Sequence, residues 1–263
     1  MPLAIALLLG VVEGLTEYLP VSSTGHLVLV SRLLGRQAGS FEIVIQLGAI
    51  LAVVVHFRAL FAKHAAGLLA KQPESIRLVV ALACGFVPVA IVGKLAGHAI
   101  KDRLFFPTPI AIALAVGGVV MIVVERVRRA KHVKGETGLE HVTPMRAMVI
   151  GLGQSFALFP GASRSMCTIV TGQLVGLSTA TAAEFSFLLG VPTLGAATLY
   201  EGFKSRHELL AQVGAPAVVV GLVVSFFVAW AVVAAFLRYL QRRGLEPFGW
   251  YRLALAACVL FWL

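Results

Sequence analysis

Long apolar runs make up most of the chain, and the polar residues fall in short gaps between them or, at two places, inside them. A helix that crosses a bilayer needs about 20 mostly apolar residues. Runs of that kind at 41–57, 78–98, 105–124, 183–200, 213–237 and 247–263 predict six full spans. Two further apolar regions, 2–35 and 147–177, are interrupted. Pro20-Val21-Ser22-Ser23-Thr24 cuts the first, and Pro160-Gly161-Ala162-Ser163-Arg164-Ser165 cuts the second. Irregular backbone at membrane depth survives only where protein or a wet cavity satisfies its N–H and C=O groups. Each interrupted region therefore predicts a re-entrant helical hairpin.

The order of features then repeats: hairpin, three spans, hairpin, three spans. Pro20 aligns with Pro160 at an offset of 140, which sets Ser23 against Ser163. After a two-residue insertion, Phe41-Glu42 through Leu47-Gly48 resembles Ala183-Glu184 through Leu189-Gly190. Three spans per half is an odd number, so the halves must be inverted, with the hairpins entering from opposite faces and their broken helices meeting at the midplane. The predicted fold is an all-α polytopic membrane protein with an inverted-topology repeat, each half a re-entrant hairpin plus three transmembrane helices. It forms a single integral membrane domain over 1–263, with repeat one at about 1–125, a basic loop at 126–145 and repeat two at about 146–263.

Composition agrees. Of 263 residues, 59% are hydrophobic and 13% charged, against about 45–50% and about 25% in an ordinary soluble domain. The formal charge of +10 would suit nucleic acid, but the Lys and Arg residues lie in the gaps between spans, as topology signals do. Nucleic-acid binding is therefore not expected. One predicted face carries fourteen of these residues, from Arg58 and Lys63 through the 126–134 cluster to Arg243 and Arg252. The other carries seven: Arg32, Arg36, Lys94, Lys101, Arg103, Lys204 and Arg206. The positive-inside bias places the richer face in the cytoplasm and both termini outside. The N-terminus does not read as a secretory signal, since no basic residue precedes its apolar run and Glu13 and Glu17 follow it. Cys84, Cys167 and Cys258 are isolated and odd in number, which predicts neither a disulfide framework nor a metal cluster.

The chemistry gathers at the two interruptions. Glu13 and Glu17 are spaced i, i+4 and share a helix face. Carboxylates at membrane depth face the interior and mark functional paths, and a hard divalent cation is the natural compensator for two of them. A capped, hydrogen-bonded pair at a helix end is the plain alternative. Ser22, Ser23 and Thr24 open the second arm of hairpin one, and Gly161-Ala162-Ser163 does the same for hairpin two. Such helix starts offer side-chain caps and free amides that bind anions. Arg164 stands beside them with a planar fork suited to phosphate, or else pairs with Glu13 or Glu17. His26 lies within reach of the same pocket and could move a proton or attack phosphorus. Gln46, in the middle of the first span, could support the site or simply hold helices together. The remaining histidines, His56, His64, His98, His132, His141 and His207, lie at span ends or in loops. Together these residues call for an anionic, phosphorylated ligand reached from the bilayer.

EGLTEYLPVSSTGHL and FPGASRSMCTI resemble the two signature regions of the undecaprenyl-diphosphate phosphatase family, the bacitracin-resistance type. The similarity extends through FEIVIQLGAILAVVV, EFSFLLGVPTLGAATL and PFGWYRLALAA. The resemblance implies a bacterial inner-membrane hydrolase that removes the terminal phosphate of undecaprenyl diphosphate, recycling the lipid carrier for cell-wall synthesis and conferring resistance to bacitracin. It implies a divalent cation, Mg²⁺ or Ca²⁺, and a site opening toward the periplasm. Carried onto this chain, the acidic motif falls on Glu13 and Glu17, the hydroxyl motif on Ser22, Ser23 and Thr24, the histidine on His26, and the arginine motif on Ser163, Arg164 and Ser165. One departure stands out: Met166-Cys167 replaces a glycine and a small residue, adding bulk near the phosphate or lipid. The expected mechanism is attack by Ser23 with His26 as base or shuttle. Arg164 and the helix starts would hold the phosphate, with Ser22, Thr24, Ser163, Ser165 and Gln46 around it, and Glu13 and Glu17 would bind the metal. His26 as nucleophile, direct attack by water, and a lipid-phosphate flippase or small-anion transporter using the same site are the alternatives. Oligomeric state is not legible.

Overall fold

The computed structural model describes residues 1–36, 39–104 and 106–262, and its elements are helices throughout. The first half contains α1 (Leu3–Thr16), α2 (Ser23–Leu33), α3 (Ser40–His56), α4 (Arg58–Leu69), α5 (Pro73–Leu104) and α6 (Pro107–Ala130). The second contains α7 (Pro144–Ser155), α8 (Arg164–Leu174), α9 (Thr179–Lys204), α10 (Arg206–Gln212), α11 (Ala215–Leu240) and α12 (Glu246–Trp262). The side chains of His98, Lys101 and Arg103, which entered the sequence reading, lie outside the described residues.

Among the described residues four helices are long and apolar enough to cross a bilayer: α6, α9, α11 and the Pro73–Gly97 part of α5. The runs at 41–57 and 247–263 form α3 and α12, each 17 residues long, at the short end of the spanning range. Segments expected to be loops are helical too. The Ala-rich α4 leaves α3 at a 70° bend, α10 follows Ser205, and α6 runs on through Arg126, Arg128 and Arg129 to Ala130. Local helix propensity extends these segments past the point where hydropathy ends. The interrupted regions are helix–break–helix units: α1 and α2 on either side of residues 17–22, and α7 and α8 on either side of a single 3₁₀ turn and the residues up to Ser163.

The molecule is apolar outside and polar at its centre. Leu95, Phe106, Ile112, Val116, Phe203, Phe227 and Phe261 are among many large apolar side chains on the surface, an extent that only lipid or another apolar surface can cover. Glu13, Glu17, Ser22, Ser23, Ser165, Thr168, Ser186 and Arg252 are buried. The halves lend helices to each other: α1 packs on α11, α7 on α5, α3 on α9 and α6 on α12. Glycine allows the two arm contacts. A Cβ at Gly10 of α1 would stand 2.8 Å from the carbonyl oxygen of Gly221, and one at Gly151 of α7 would run into the carbonyl of Gly85. Small residues of this kind bring helix backbones together within a membrane.

Arg252 corrects the charge count. It belongs to no face, because α12 buries it completely and its guanidinium donates to backbone carbonyls at the centre. Its place in the middle of an apolar run was the available signal. Between the halves, Arg146 grips Glu136 with two hydrogen bonds of 2.7 and 2.8 Å. That grip holds the Glu136 carboxyl below its ordinary range. The backbone of Glu136 in turn pairs with Gly176 and Ser178, tying the connecting loop to the end of α8.

Candidate functional site

Both breaks use the same local device. Ser22 precedes α2 with φ 72°, and its hydroxyl accepts from Gly25 N at 3.2 Å. Ser163 precedes α8 with φ 72°, and its hydroxyl accepts from Met166 N at 3.3 Å. Each is an N-cap serine, satisfying one of the amides that a first helical turn leaves without an internal partner. The following arms are both 11 residues long. Left-handed backbone is costly for a residue other than glycine, and it persists only where the surroundings fix it.

The breaks meet around a cavity of about 110 Å³ lined by Glu17, Ser22, Ser23, Thr24, Gln46, Ser163 and Arg164, with Phe159, Gly161 and Leu194 among its apolar walls. Glu17 is its hub. Ser23 Oγ donates to Glu17 Oε2 at 2.6 Å, and Gln46 Nε2 donates to the same oxygen at 3.3 Å. Arg164 Nη2 reaches Glu17 Oε1 at 3.4 Å. The other arm of the guanidinium, Nη1, donates to the carbonyl and hydroxyl oxygens of Ser186 at 2.9 and 3.1 Å. The guanidinium also lies over the Tyr18 ring, 5.2 Å from its centroid, a stacking that favours the cation. Gln46 Oε1 accepts from Thr198 at 3.4 Å, so Gln46 holds the carboxylate while being held itself.

Glu13 lies one turn behind Glu17 on α1. It is fully buried, and neither of its carboxylate oxygens has a hydrogen-bond partner. Two buried carboxylates, one of them with both oxygens orphaned, suit a hard cation. No cluster of three His, Cys, Asp or Glu side chains forms among the described residues. The protein thus offers two carboxylates, and the other positions would fall to hydroxyl, phosphate or water oxygens.

Like Glu13, two more of the expected residues do not line the cavity. His26 is one of them. Its Nδ1 lies 2.7 Å from the carbonyl oxygen of Ser22 and its Nε2 2.7 Å from the Tyr251 hydroxyl, with the two rings stacked. A carbonyl only accepts, so Nδ1 carries the proton and Nε2 accepts from Tyr251. The ring faces an apolar groove formed with Leu15, Val21, Pro247 and Phe248. Ser165 is buried between the breaks, donating to the carbonyl of Leu19 at 2.9 Å and sharing a 3.1 Å contact with the Ser163 hydroxyl. Ser23, Ser22, Thr24, Ser163, Arg164, Glu17 and Gln46 come together as expected.

Sequence reasoning missed Tyr18, Ser186, Thr168, Tyr251 and Arg252. Ser186 is a hydroxyl within an apolar span, and its oxygen sits 2.6 Å from Thr168 Oγ1, so polarity at that depth was a usable signal. Tyr18 directly follows Glu17, the residue that the sequence singled out. Nothing local distinguishes it from a packing aromatic. The cavity holds a hydroxyl hydrogen-bonded to a carboxylate, a guanidinium and two helix starts. That set can bind a phosphate and move a proton from the hydroxyl.

A protein-family model described as bacitracin resistance protein BacA matches residues 6–258. The undecaprenyl-diphosphatase of Sorangium cellulosum is 58% identical over 262 residues, covering 98% of this chain and 85% of the relative. The undecaprenyl-diphosphatase of Rhizorhabdus wittichii is 43% identical over 100% of this chain and 98% of its own. That of Caldanaerobacter subterraneus subsp. tengcongensis is 44% identical over 97% of this chain and 94% of its own.

Proposed function

The chain belongs to the bacitracin resistance protein family, and we propose that it hydrolyses undecaprenyl diphosphate to undecaprenyl phosphate and inorganic phosphate in the membrane. The observation that carries this reading is the 2.6 Å contact from Ser23 Oγ to Glu17, with Arg164 on the other oxygen of the same carboxylate. An anion carrier has no use for a hydroxyl seated on a base. This feature ranks hydrolysis above the flippase and small-anion transporter readings. The product returns the lipid carrier to cell-wall synthesis, and bacitracin resistance follows from the same activity.

The terminal phosphate enters the cavity, and Arg164 turns from Glu17 to its oxygens, aided by the amides that open α2 and α8. Glu17 takes the proton of Ser23 as Oγ bonds to the terminal phosphorus. The bond from phosphorus to the bridging oxygen breaks, and undecaprenyl phosphate leaves with that oxygen. A water then attacks the phosphoserine, the bond between phosphorus and Oγ breaks, Ser23 recovers its proton, and inorganic phosphate departs. Arg164 and the helix starts stabilise the charge that builds on the equatorial oxygens in both steps. His26, with both ring nitrogens engaged, supports the break through the Ser22 carbonyl. Glu17 takes over the base role expected of His26. A divalent cation, Mg²⁺ or Ca²⁺, would be held by Glu13 and Glu17 and would neutralise phosphate charge.

The prenyl chain has a path. An apolar groove of about 360 Å³ lined by Ala113, Gly117, Phe159, Met166, Cys167 and Val170 opens beside the cavity and shares Phe159 with it. The matched caps and exchanged helix partners support an inverted repeat. The basic face points to the cytoplasm of an inner membrane, with both termini and the site opening on the periplasmic side.

Purified protein given a long-chain prenyl diphosphate with Mg²⁺ or Ca²⁺ should release inorganic phosphate and, on rapid quenching, carry label on Ser23. Glu17→Gln should lower kcat on the order of 100-fold and raise the metal concentration needed for half-maximal rate. No phosphate release with any divalent cation, alongside anion or lipid transport in liposomes, would establish the transporter reading instead.

A further inference from the structure

Arg252 is fully buried near the middle of α12. Its Nε donates to the carbonyl oxygen of Leu114 at 3.2 Å, and Nη1 donates to that of Pro20 at 3.3 Å. Nη2 is shared among Ala113 at 3.1 Å, Gly161 at 2.9 Å and Ala162 at 3.1 Å. Pro20 lies in the first break, Gly161 and Ala162 in the second, and Ala113 and Leu114 in α6. One rigid planar group thus spans three segments that are far apart in sequence. Pro20 stands three residues before Ser23, and Gly161 three residues before Arg164. The guanidinium holds corresponding points of the two breaks.

The position is an expensive one for packing alone. A buried cation whose partners among the described residues are five neutral carbonyls has its lost hydration met only by dipoles. The backbone of α6 is also cut away for it, since a Cβ at Gly117 would run into Arg252 Nη2 and stand 2.8 Å from Met166 Cε. With nearly all its N–H groups spent on carbonyls, Arg252 has little left to offer a phosphate.

We propose that Arg252 is a positioning residue, a clamp that fixes the start of α2, with Ser23, against the start of α8, with Arg164. This rests on the phosphatase reading. Attack in line requires the nucleophile and the phosphate-holding cation to be placed within a fraction of an ångström, and a misplacement of about 1 Å costs on the order of 100-fold in rate.

The test is Arg252→Lys, which keeps the charge but offers one nitrogen where three reach across. Turnover should fall on the order of 100-fold while KM stays within about threefold. Amide hydrogen exchange should rise together in the peptides covering 20–26 and 161–167, and stay unchanged in α11. Gly117→Ala, which displaces the guanidinium without removing it, should give the same split and the same paired rise. It carries the test if Arg252→Lys fails to fold. Exchange that is unchanged at both breaks, or that rises at only one, overturns the clamp, as does turnover within about threefold of the parent. A parent protein that releases no phosphate overturns the phosphatase reading instead, whatever the exchange shows.

Discussion

The two breaks share a backbone and divide the chemistry. Ser22 and Ser163 have the same φ of 72°, cap the third amide of their helices in the same way, and open arms of the same length. Yet the first break brings two buried carboxylates and a hydroxyl, and the second brings a guanidinium. Two helix starts with matching caps line one cavity. In the proposed mechanism, side-chain differences assign the attacking group to one half and the phosphate-holding group to the other. The two breaks match in geometry and differ in charge.

Breaking the charged side of this comparison should have the largest effect. Arg164→Ala removes the guanidinium that the second break contributes to the cavity, and should lower kcat/KM by on the order of 1,000-fold in the phosphate-release assay. Turnover near the parent value would take Arg164 out of the site. The shared side is sharpened by a matched pair, Ser22→Ala and Ser163→Ala. Each should cost about 1 kcal/mol of stability as a lost cap, read from thermal unfolding in detergent. Clearly unequal costs would mean that the two caps are alike in dihedral angle only. The smallest effect is expected from Met166→Gly, which removes a side chain from the apolar groove beside the cavity. It should leave turnover of the long-chain substrate within about threefold and relax discrimination between prenyl chain lengths. A collapse in turnover would place Met166 in the phosphate site.

What could be read in the sequence was whatever the chain states locally. The i, i+4 spacing of Glu13 and Glu17, the proline–hydroxyl interruptions and Arg164 between helix starts are each contained within a few residues. The structure places Glu17, the two breaks and Arg164 around one cavity, with Glu13 one turn behind it. The rest depends on contacts across long stretches of chain. His26 looked like a base because hydroxyls and acids flank it in sequence, but its partner is Tyr251, 225 residues away. Arg252 looked like one more topology charge because its acceptors, at Pro20 and Gly161 among others, carry no side-chain signal at all. α4 and α10 went unseen because hydropathy locates spans and is silent about helices that need not cross.

The contacts at Gly10 and Gly151 have a mechanical consequence. Each rear arm, α1 with its acids and α7 behind the arginine break, rests main chain against main chain on a helix from the opposite half. At each of these glycines the helix backbones approach more closely than a side chain would allow. Sliding either arm along its partner would drive a bulkier residue into that contact, so the two halves are locked in one register.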